Sequence, residues 1–131
     1  MKPKQHIAAM TLLVPDYDEA LDFYVGVLGF DLVEDTELSA RKRWVLVSPP
    51  GGQTRLLLAR ADGERQRAAI GAQTGGRVFL FLETEDFRAD FARYTQAGVR
   101  FREEPRDETY GTVAVFEDPF GNAWDLIEAK P

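Results

Sequence analysis

The chain contains no cysteine and a single histidine, His6, and both scarcities narrow the chemistry open to it. Without cysteine there is no disulfide, no thiol nucleophile and no cysteine-based metal site. A metal centre would have to rely mainly on carboxylates, and a serine–histidine–aspartate triad would have to use a residue close to the N-terminus. His6 itself is expected at the surface, as is usual near a chain end.

The sequence is also short of positive charge and of long apolar runs. Sixteen Lys and Arg against 22 Asp and Glu give a formal net charge of −6, which opposes attraction to nucleic acid or to an anionic membrane. No apolar stretch reaches the roughly 20 residues that a membrane-spanning helix needs. The N-terminus lacks the apolar core of a signal peptide. We therefore expect a cytoplasmic protein without nucleic-acid or membrane partners.

The clearest local pattern is a predicted β-hairpin over residues 113–127. Its turn is Asp118-Pro-Phe-Gly-Asn122, in which proline presets φ while glycine and asparagine tolerate positive φ. Residues 45–58 have the same layout at an offset of 69, which indicates an internal duplication. The matched pairs are Pro50 with Pro119, Gly52 with Gly121, Leu57 with Leu126, and Leu58 with Ile127.

Two amphipathic helices repeat in the same way. Each begins after an apolar run, with an aspartate suited to cap its N-terminus, and each ends at a glycine. The first apolar run, residues 7–14, is read as a strand rather than a buried helix because Pro15-Asp16 stops it early. The caps lie 70 residues apart and the glycines 69 apart, so the second helix lacks one residue near its end. The pairs are Asp16 with Asp86, Tyr24 with Tyr94, and Gly29 with Gly98.

These repeats divide the 131 residues into two βαβββ modules, predicted over residues 1–59 and 77–131. The charged and Gly-rich residues 60–76 are interpreted as a linker with at most one helical turn. Each module alone is too small to bury its sheet well, so we predict that both belong to one α+β domain.

Three stretches resemble the vicinal oxygen chelate superfamily, the group of glyoxalases, bleomycin-resistance proteins and extradiol dioxygenases. They are residues 13–29, the second helix entry at 84–87, and the turn 118–122 with Asp125 and Leu126. The resemblance implies two modules that form a cupped eight-stranded mixed sheet, with the helices on its outer face and a ligand cavity inside. It also implies a homodimer, and in metal-dependent members four metal ligands, two from each module.

The resemblance assigns those four ligand positions to Ala9, Leu56, Phe79 and Asp125. Three of these side chains cannot coordinate a metal, whereas catalytic metal sites need about three protein ligands. We therefore predict no metal and no other cofactor.

If these positions face the cavity, strand alternation identifies further residues of its lining. The cavity would then be apolar and aromatic, which is typical of a small-molecule site, although the phenylalanines could instead fill it as core. A tyrosine at the mouth, Tyr110, is either a ligand contact or an ordinary start of a strand. The candidate ligand-binding residues are Ala9, Thr11, Leu56, Phe79, Phe81, Glu83, Tyr110 and Asp125.

Glu83 and Asp125 are the only carboxylates predicted inside this cavity. A buried carboxylate is able to act as an acid or a base when burial raises its pKa, and it also attracts a cationic ligand. The alternatives are a solvated rim position for Glu83 and a salt bridge for Asp125. Its candidate partners are Arg41, Arg43, Arg55 and Arg77.

The favoured function is metal-independent binding of a small molecule, cationic or aromatic, in a homodimer paired through the apolar first strands of the modules. One alternative is a metal-dependent lyase, isomerase or dioxygenase, which would need a metal to polarise its substrate. The other is a metal-free isomerase that uses Asp125 or Glu83 as its general base. Whether the protein is an enzyme stays open, and so does the identity of its ligand.

Overall fold

The computed structural model describes the whole chain, Met1–Pro131, and confirms the predicted α+β class. The chain forms two compact units, Met1–Arg67 (unit 1) and Ala68–Pro131 (unit 2). Each unit has its own mixed sheet, of four strands in unit 1 and five in unit 2. None of the helices is both long enough and apolar enough to cross a membrane.

Unit 1 contains one parallel and two antiparallel strand pairs. The strand order is β1-β4-β3-β2, with β1 parallel to β4. The predicted linker holds a helix of seven residues, longer than the single turn expected. The elements are β1 (Ala9–Val14), α1 (Tyr17–Leu21), a π-helical segment (Asp22–Val27), β2 (Asp31–Glu37), β3 (Arg43–Ser48), β4 (Arg55–Arg60) and α2 (Gly63–Ala69), which runs on into unit 2.

Unit 2 repeats this arrangement with the order β5-β9-β8-β6, and β5 is parallel to β9. A short extra strand, β7, also pairs with β8. The elements are β5 (Leu80–Glu83), α3 (Phe87–Gln96), β6 (Arg100–Phe101), β7 (Arg106–Glu108), β8 (Gly111–Glu117) and β9 (Ala123–Ala129).

Residues 100–108 form two short strands, β6 and β7, where a βαβββ module has room for one. Pro105, between them, has no N–H to donate to a neighbouring strand. Glu103 instead uses its side chain, whose Oε2 accepts from the Val115 N–H at 3.0 Å. The strand is therefore interrupted, and unit 2 has five strands where four were expected.

Both predicted helix caps are confirmed. Asp16 accepts a hydrogen bond from the Glu19 N–H at 3.0 Å, and Asp86 accepts one from the Ala89 N–H at 3.0 Å. These bonds satisfy backbone donors that would otherwise be unpaired at the first turn. They fix where α1 and α3 leave the ends of β1 and β5.

The one-residue difference between the two helices lies in the π-helical segment. There the Leu28 N–H donates to the Phe23 carbonyl at 2.8 Å, an i→i+5 bond that holds one more residue than an α-turn. The matched tyrosine carbonyls then take equivalent closing bonds, from Phe30 to Tyr24 and from Val99 to Tyr94, both at 2.9 Å. The extra residue of unit 1 is thus absorbed inside its helix.

The hairpin of unit 1 also has one more loop residue than that of unit 2. The loops span residues 49–54 and 118–122, so the offset between the units falls to 68 after the turn. Leu12 pairs with Leu58 in β4, and Leu82 pairs with Leu126 in β9. The counterpart of Leu126 is therefore Leu58 and not Leu57, which corrects the matches predicted at an offset of 69 beyond the turn.

The turns themselves use different glycines. In unit 1 the left-handed residue is Gly51, with φ of 72°, at the position that follows Pro50. In unit 2 it is Gly121, with φ of 98°, one place later in the turn. Positive φ is favourable only for residues such as glycine, so the loop residues differ although both turns reverse the chain.

Candidate functional site

One face of each sheet carries the buried core, and the other is more open. In unit 2 the core face holds Phe116 and Trp124, whose rings stack at 5.9 Å, and Phe116 also contacts Tyr94 of α3 at 5.5 Å. The opposite face is called here the open face of unit 2. It carries Phe79, Phe81, Glu83, Val115, Asp125 and Ile127.

Phe81 and Asp125 are the central pair of this open face. They are direct partners in the parallel pairing of β5 with β9, so their side chains leave the same side of the sheet. The Phe81 side chain is 68% exposed. Phe79 is half-buried on the same face, and its N–H donates to the Ala123 carbonyl at 2.8 Å. Phe81 is therefore not part of the core of unit 2.

Asp125 has an unusual environment for a carboxylate. Its Oδ1 is buried and has no hydrogen-bond partner. Burial raises the pKa of Asp125 above its usual value, Arg106 acts to lower it, and Glu103 acts to raise it further. Arg106 is itself bound to Glu103 and Glu108, each at 2.8 Å, so its charge is largely committed.

The salt bridge proposed for Asp125 is not formed. Of the candidate partners, Arg43 binds Asp18 at 2.9 Å and Asp35 at 2.7 Å instead. No ion pair joins Arg77 to Asp125. Asp125 is thus a half-buried carboxylate whose Oδ1 atom accepts no hydrogen bond.

The other two polar candidates stand apart from Asp125. Glu83 is exposed and pairs with Ile127, two residues further along β9, which favours the solvated alternative given for it. Tyr110 is exposed in the turn before β8, where its carbonyl accepts from the Lys130 N–H at 3.1 Å. Of the two carboxylates predicted inside the cavity, only Asp125 is therefore half-buried.

In unit 1, Ala9 and Thr11 lie on the exposed face of β1, as the alternation predicted. Leu56 does not. It is 5% exposed and pairs with Met10, so it belongs to the core face. The neighbour of Thr11 in β4 is Leu57, just as Asp125 is the neighbour of Phe81. Because the loop before β4 has one extra residue, the ligand position assigned to Leu56 belongs to Leu57.

Unit 1 also contains a cavity of about 640 Å³ that sequence reasoning missed. Trp44, Leu57 and Ala59, from the exposed face of the sheet, form part of its wall. The signal in the sequence was Arg41-Lys-Arg43, a basic run inside an acidic chain. Arg41 and Arg43 were interpreted only as possible salt-bridge partners of Asp125. The cations that line this cavity are Arg41, Lys42, Arg43, Arg60 and Arg67.

Arg43 has a structural role at the edge of this cavity. Its guanidinium makes two bonds to Asp35, at 3.1 and 2.7 Å, and one to Asp18 at 2.9 Å. It also lies 5.1 Å from the centroid of the Tyr17 ring, and the backbone N–H of Arg43 donates to the Tyr17 hydroxyl at 3.1 Å. These contacts neutralise Arg43 and join α1 to β2 and β3.

The residues present do not fit the metal that the resemblance implies. At the four assigned positions, and with Leu57 in place of Leu56, only Asp125 has a side chain able to coordinate a metal. No group of three or more His, Asp or Glu side chains is arranged to hold an ion. His6 is exposed in the segment before β1. No step of a reaction is therefore derived through a metal.

Residues 5–126 match the Glyoxalase/Bleomycin resistance protein/Dioxygenase superfamily, and the chain belongs to it. The resemblance inferred from the motifs is thereby confirmed.

Among its relatives, an uncharacterized protein of Shewanella frigidimarina is 55% identical over 127 residues, which are 95% of this chain and 94% of that one. The crystal structure of UcmS2 is similar with a TM-score of 0.82 and 31% identity, and covers 95% of this chain and 98% of its own. TnmS3, an antibiotic binding protein from Streptomyces sp. CB03234, has a TM-score of 0.79 and 31% identity over 99% of this chain and 100% of its own.

Proposed function

We propose that this protein binds an aromatic small molecule on the open face of unit 2, without a metal. The observation that carries the proposal is the pairing of a phenylalanine, 68% exposed, with a buried carboxylate oxygen that has no partner. Small-molecule sites combine apolar walls with a few placed polar groups, and this face has both.

Both Phe81 and Asp125 would interact more favourably with a bound ligand than with water. The exposed Phe81 ring leaves apolar surface in water, and covering it with another ring would be favourable by the hydrophobic effect and by ring stacking. The Oδ1 atom of Asp125 would accept a hydrogen bond from an N–H or O–H of the ligand, which would recover part of the cost of burying the carboxylate. A ligand with an aromatic ring and an adjacent donor, neutral or cationic, satisfies both groups.

The relationship to TnmS3 supports this proposal, because that structural neighbour is an antibiotic binding protein. An aromatic antibiotic bound and held without chemical change would need no catalytic metal. We propose a binding role for this chain as well, with an aromatic compound as its ligand.

We further propose that the protein is a two-fold homodimer. The first strand of each module is rich in apolar residues, and pairing would cover such strands. Sedimentation equilibrium at micromolar concentration should give twice the chain mass of 14.8 kDa. A mass equal to that of the single chain would reject the dimer without affecting the binding proposal.

The binding proposal is tested by titrating a panel of aromatic antibiotics and dyes into the protein by calorimetry, with neutral and cationic members represented. Phe81→Ala should weaken the best binder at least about tenfold, since stacked rings and buried apolar area are both lost. Leu38→Ala, which shortens an exposed apolar side chain in unit 1, is the matched control and should leave affinity unchanged. No binding by any compound, or equal losses in both variants, would reject the proposal.

A second function is favoured by the raised pKa of Asp125. A half-buried carboxylate with a free oxygen suits a general base, so a metal-free isomerisation of the bound molecule is the alternative. Asp125→Asn separates the two: it should abolish turnover completely if Asp125 is the base, while binding through Phe81 persists. A ligand recovered chemically unchanged after prolonged incubation supports simple binding.

A further inference from the structure

The cavity of unit 1 has a charge balance opposite to that of the chain. The protein carries a net charge of −6, yet the cavity is lined by five cationic side chains and by one acidic side chain, Asp62. Arg43 is neutralised by Asp18 and Asp35. The other four cations have no ion pair, and none of them is joined to Asp62. They are Arg41, Lys42, Arg60 and Arg67.

These four cations come from three separate parts of unit 1. Arg41 and Lys42 precede β3, Arg60 ends β4, and Arg67 lies in α2. Bringing like charges to one cavity is unfavourable unless opposite charges join them. Asp18 and Asp35 are committed to Arg43, which leaves Asp62 as the one acidic side chain in the lining. The fold therefore places four unpaired cations around a cavity to which the chain supplies a single carboxylate, Asp62.

The wall of the cavity adds an apolar and aromatic component. Trp44 is 39% exposed and stands in the wall with Leu57 and Ala59. A tryptophan ring offers a flat surface to an aromatic ligand, while guanidinium groups bind carboxylate, sulfonate or phosphate through paired N–H donors. The volume of about 640 Å³ lies within the range usual for small-molecule sites.

We propose that this cavity is a second binding site, selective for an anionic aromatic small molecule. The ring would lie against Trp44, and the anionic group would bind to Arg60 and Arg67. This site is separate from the open face of unit 2, whose carboxylate favours neutral or cationic ligands, so each proposal can fail alone.

Two dyes that share one ring system provide the test. Anilinonaphthalene sulfonate carries a negative charge, and N-phenylnaphthylamine is its uncharged parent. Fluorescence titration of the full chain should show tighter binding of the sulfonate. The double variant Arg60→Gln, Arg67→Gln should weaken sulfonate binding at least about tenfold, because charge-assisted hydrogen bonds are lost, and should leave the binding of the neutral dye unchanged.

The control variant removes the same charge from the same elements. Arg55 is in β4 with Arg60, and Arg65 is in α2 with Arg67, but neither lines the cavity. Arg55→Gln, Arg65→Gln should change sulfonate affinity less than twofold. Equal losses in the two double variants would overturn the proposal by showing a general charge effect, and so would equal affinity for the two dyes.

Phe81→Ala distinguishes this site from the one in unit 2. We expect sulfonate binding to be unchanged in that variant, and its loss would overturn the cavity as the site. Binding of neither dye would overturn the present inference, whereas the unit 2 proposal is judged on its own panel of compounds. Circular dichroism melting of each variant confirms that the compared proteins are folded.

Discussion

Phe81 and Asp125 face the same side of the sheet as direct partners across β5 and β9. One is a ring left largely in solvent, and the other is a carboxylate with a buried oxygen that lacks a partner. Neither arrangement stabilises the isolated chain, because apolar exposure and an unpaired buried acceptor both have a cost. Their coincidence at one point is the reason for placing function there.

Asp125→Asn should stabilise the protein at neutral pH. Burial raises the pKa of Asp125 above 3.8, so the folded state disfavours its ionised form. The favourable contribution is present below pH 3.8 and is lost as pH rises through the folded pKa. The variant should therefore unfold at higher urea than the parent at pH 7, with the difference vanishing towards pH 3.5. Asp31→Asn, at an exposed position, is the control and should change the urea midpoint at pH 7 less than Asp125→Asn does.

Divalent metals should not stabilise the protein. Asp125 alone among the assigned ligand positions has a coordinating side chain, and a single carboxylate binds such ions weakly. Melting temperatures of untagged protein with and without Zn²⁺, Ni²⁺ or Mn²⁺ should agree within about 1 °C, given that strong ligands of the folded state raise stability by mass action. A stoichiometric metal in the purified protein that is lost in Asp125→Ala would contradict this expectation.

Asp118→Ala should be among the most destabilising single changes in unit 2. The carboxylate is buried and accepts from the Phe120 N–H at 2.9 Å and the Asn122 N–H at 2.8 Å, and from the Asn122 side-chain amide at 2.7 Å. Leaving these donors unpaired should cost about 2–4 kcal/mol in urea unfolding. Asp107→Ala, at an exposed aspartate paired with Lys130, should cost less than about 0.5 kcal/mol.

Two glycines near the end of the first helix should respond in opposite directions. Gly26 lies in the π-helical segment without positive φ, and a methyl group there meets nothing within 4 Å. Gly26→Ala should stabilise by about 0.5–1 kcal/mol through reduced chain entropy. Gly29 has φ of 82°, so Gly29→Ala should destabilise by about 1–2 kcal/mol. Equal changes in both variants would show that conformation at these positions does not decide the outcome.

Local features of this fold were accessible from the sequence. The caps at Asp16 and Asp86 and the helix ends at Gly29 and Gly98 depend on short-range hydrogen bonds and on φ, which act within a few residues. The one-residue difference between the helices was also visible as a change of offset. The way the extra residue is accommodated, by a π-helical bond from the Leu28 N–H to the Phe23 carbonyl, was not visible, because only packing decides where an extra residue is placed.

The site was less predictable because it depends on register. One added loop residue moved Leu56 to the core face and put Leu57 beside Thr11, since a shift of one reverses every side chain of a strand. The basic cavity was missed for a related reason. Arg41, Arg60 and Arg67 come from a loop, a strand and a helix, and nothing in their spacing shows that they surround one space.

The sequence by itself determined the repeated order of strand, capped helix and hairpin, the N-terminal caps at Asp16 and Asp86, and the superfamily, because each depends on local chemistry or residue identity. Tertiary structure alone decided that Asp125 keeps an unpaired oxygen, that Leu57 replaces Leu56 at the exposed face of β4, and that four cations share a cavity. These properties arise from strand register and from contacts between distant residues, which have no signature within a short stretch of sequence.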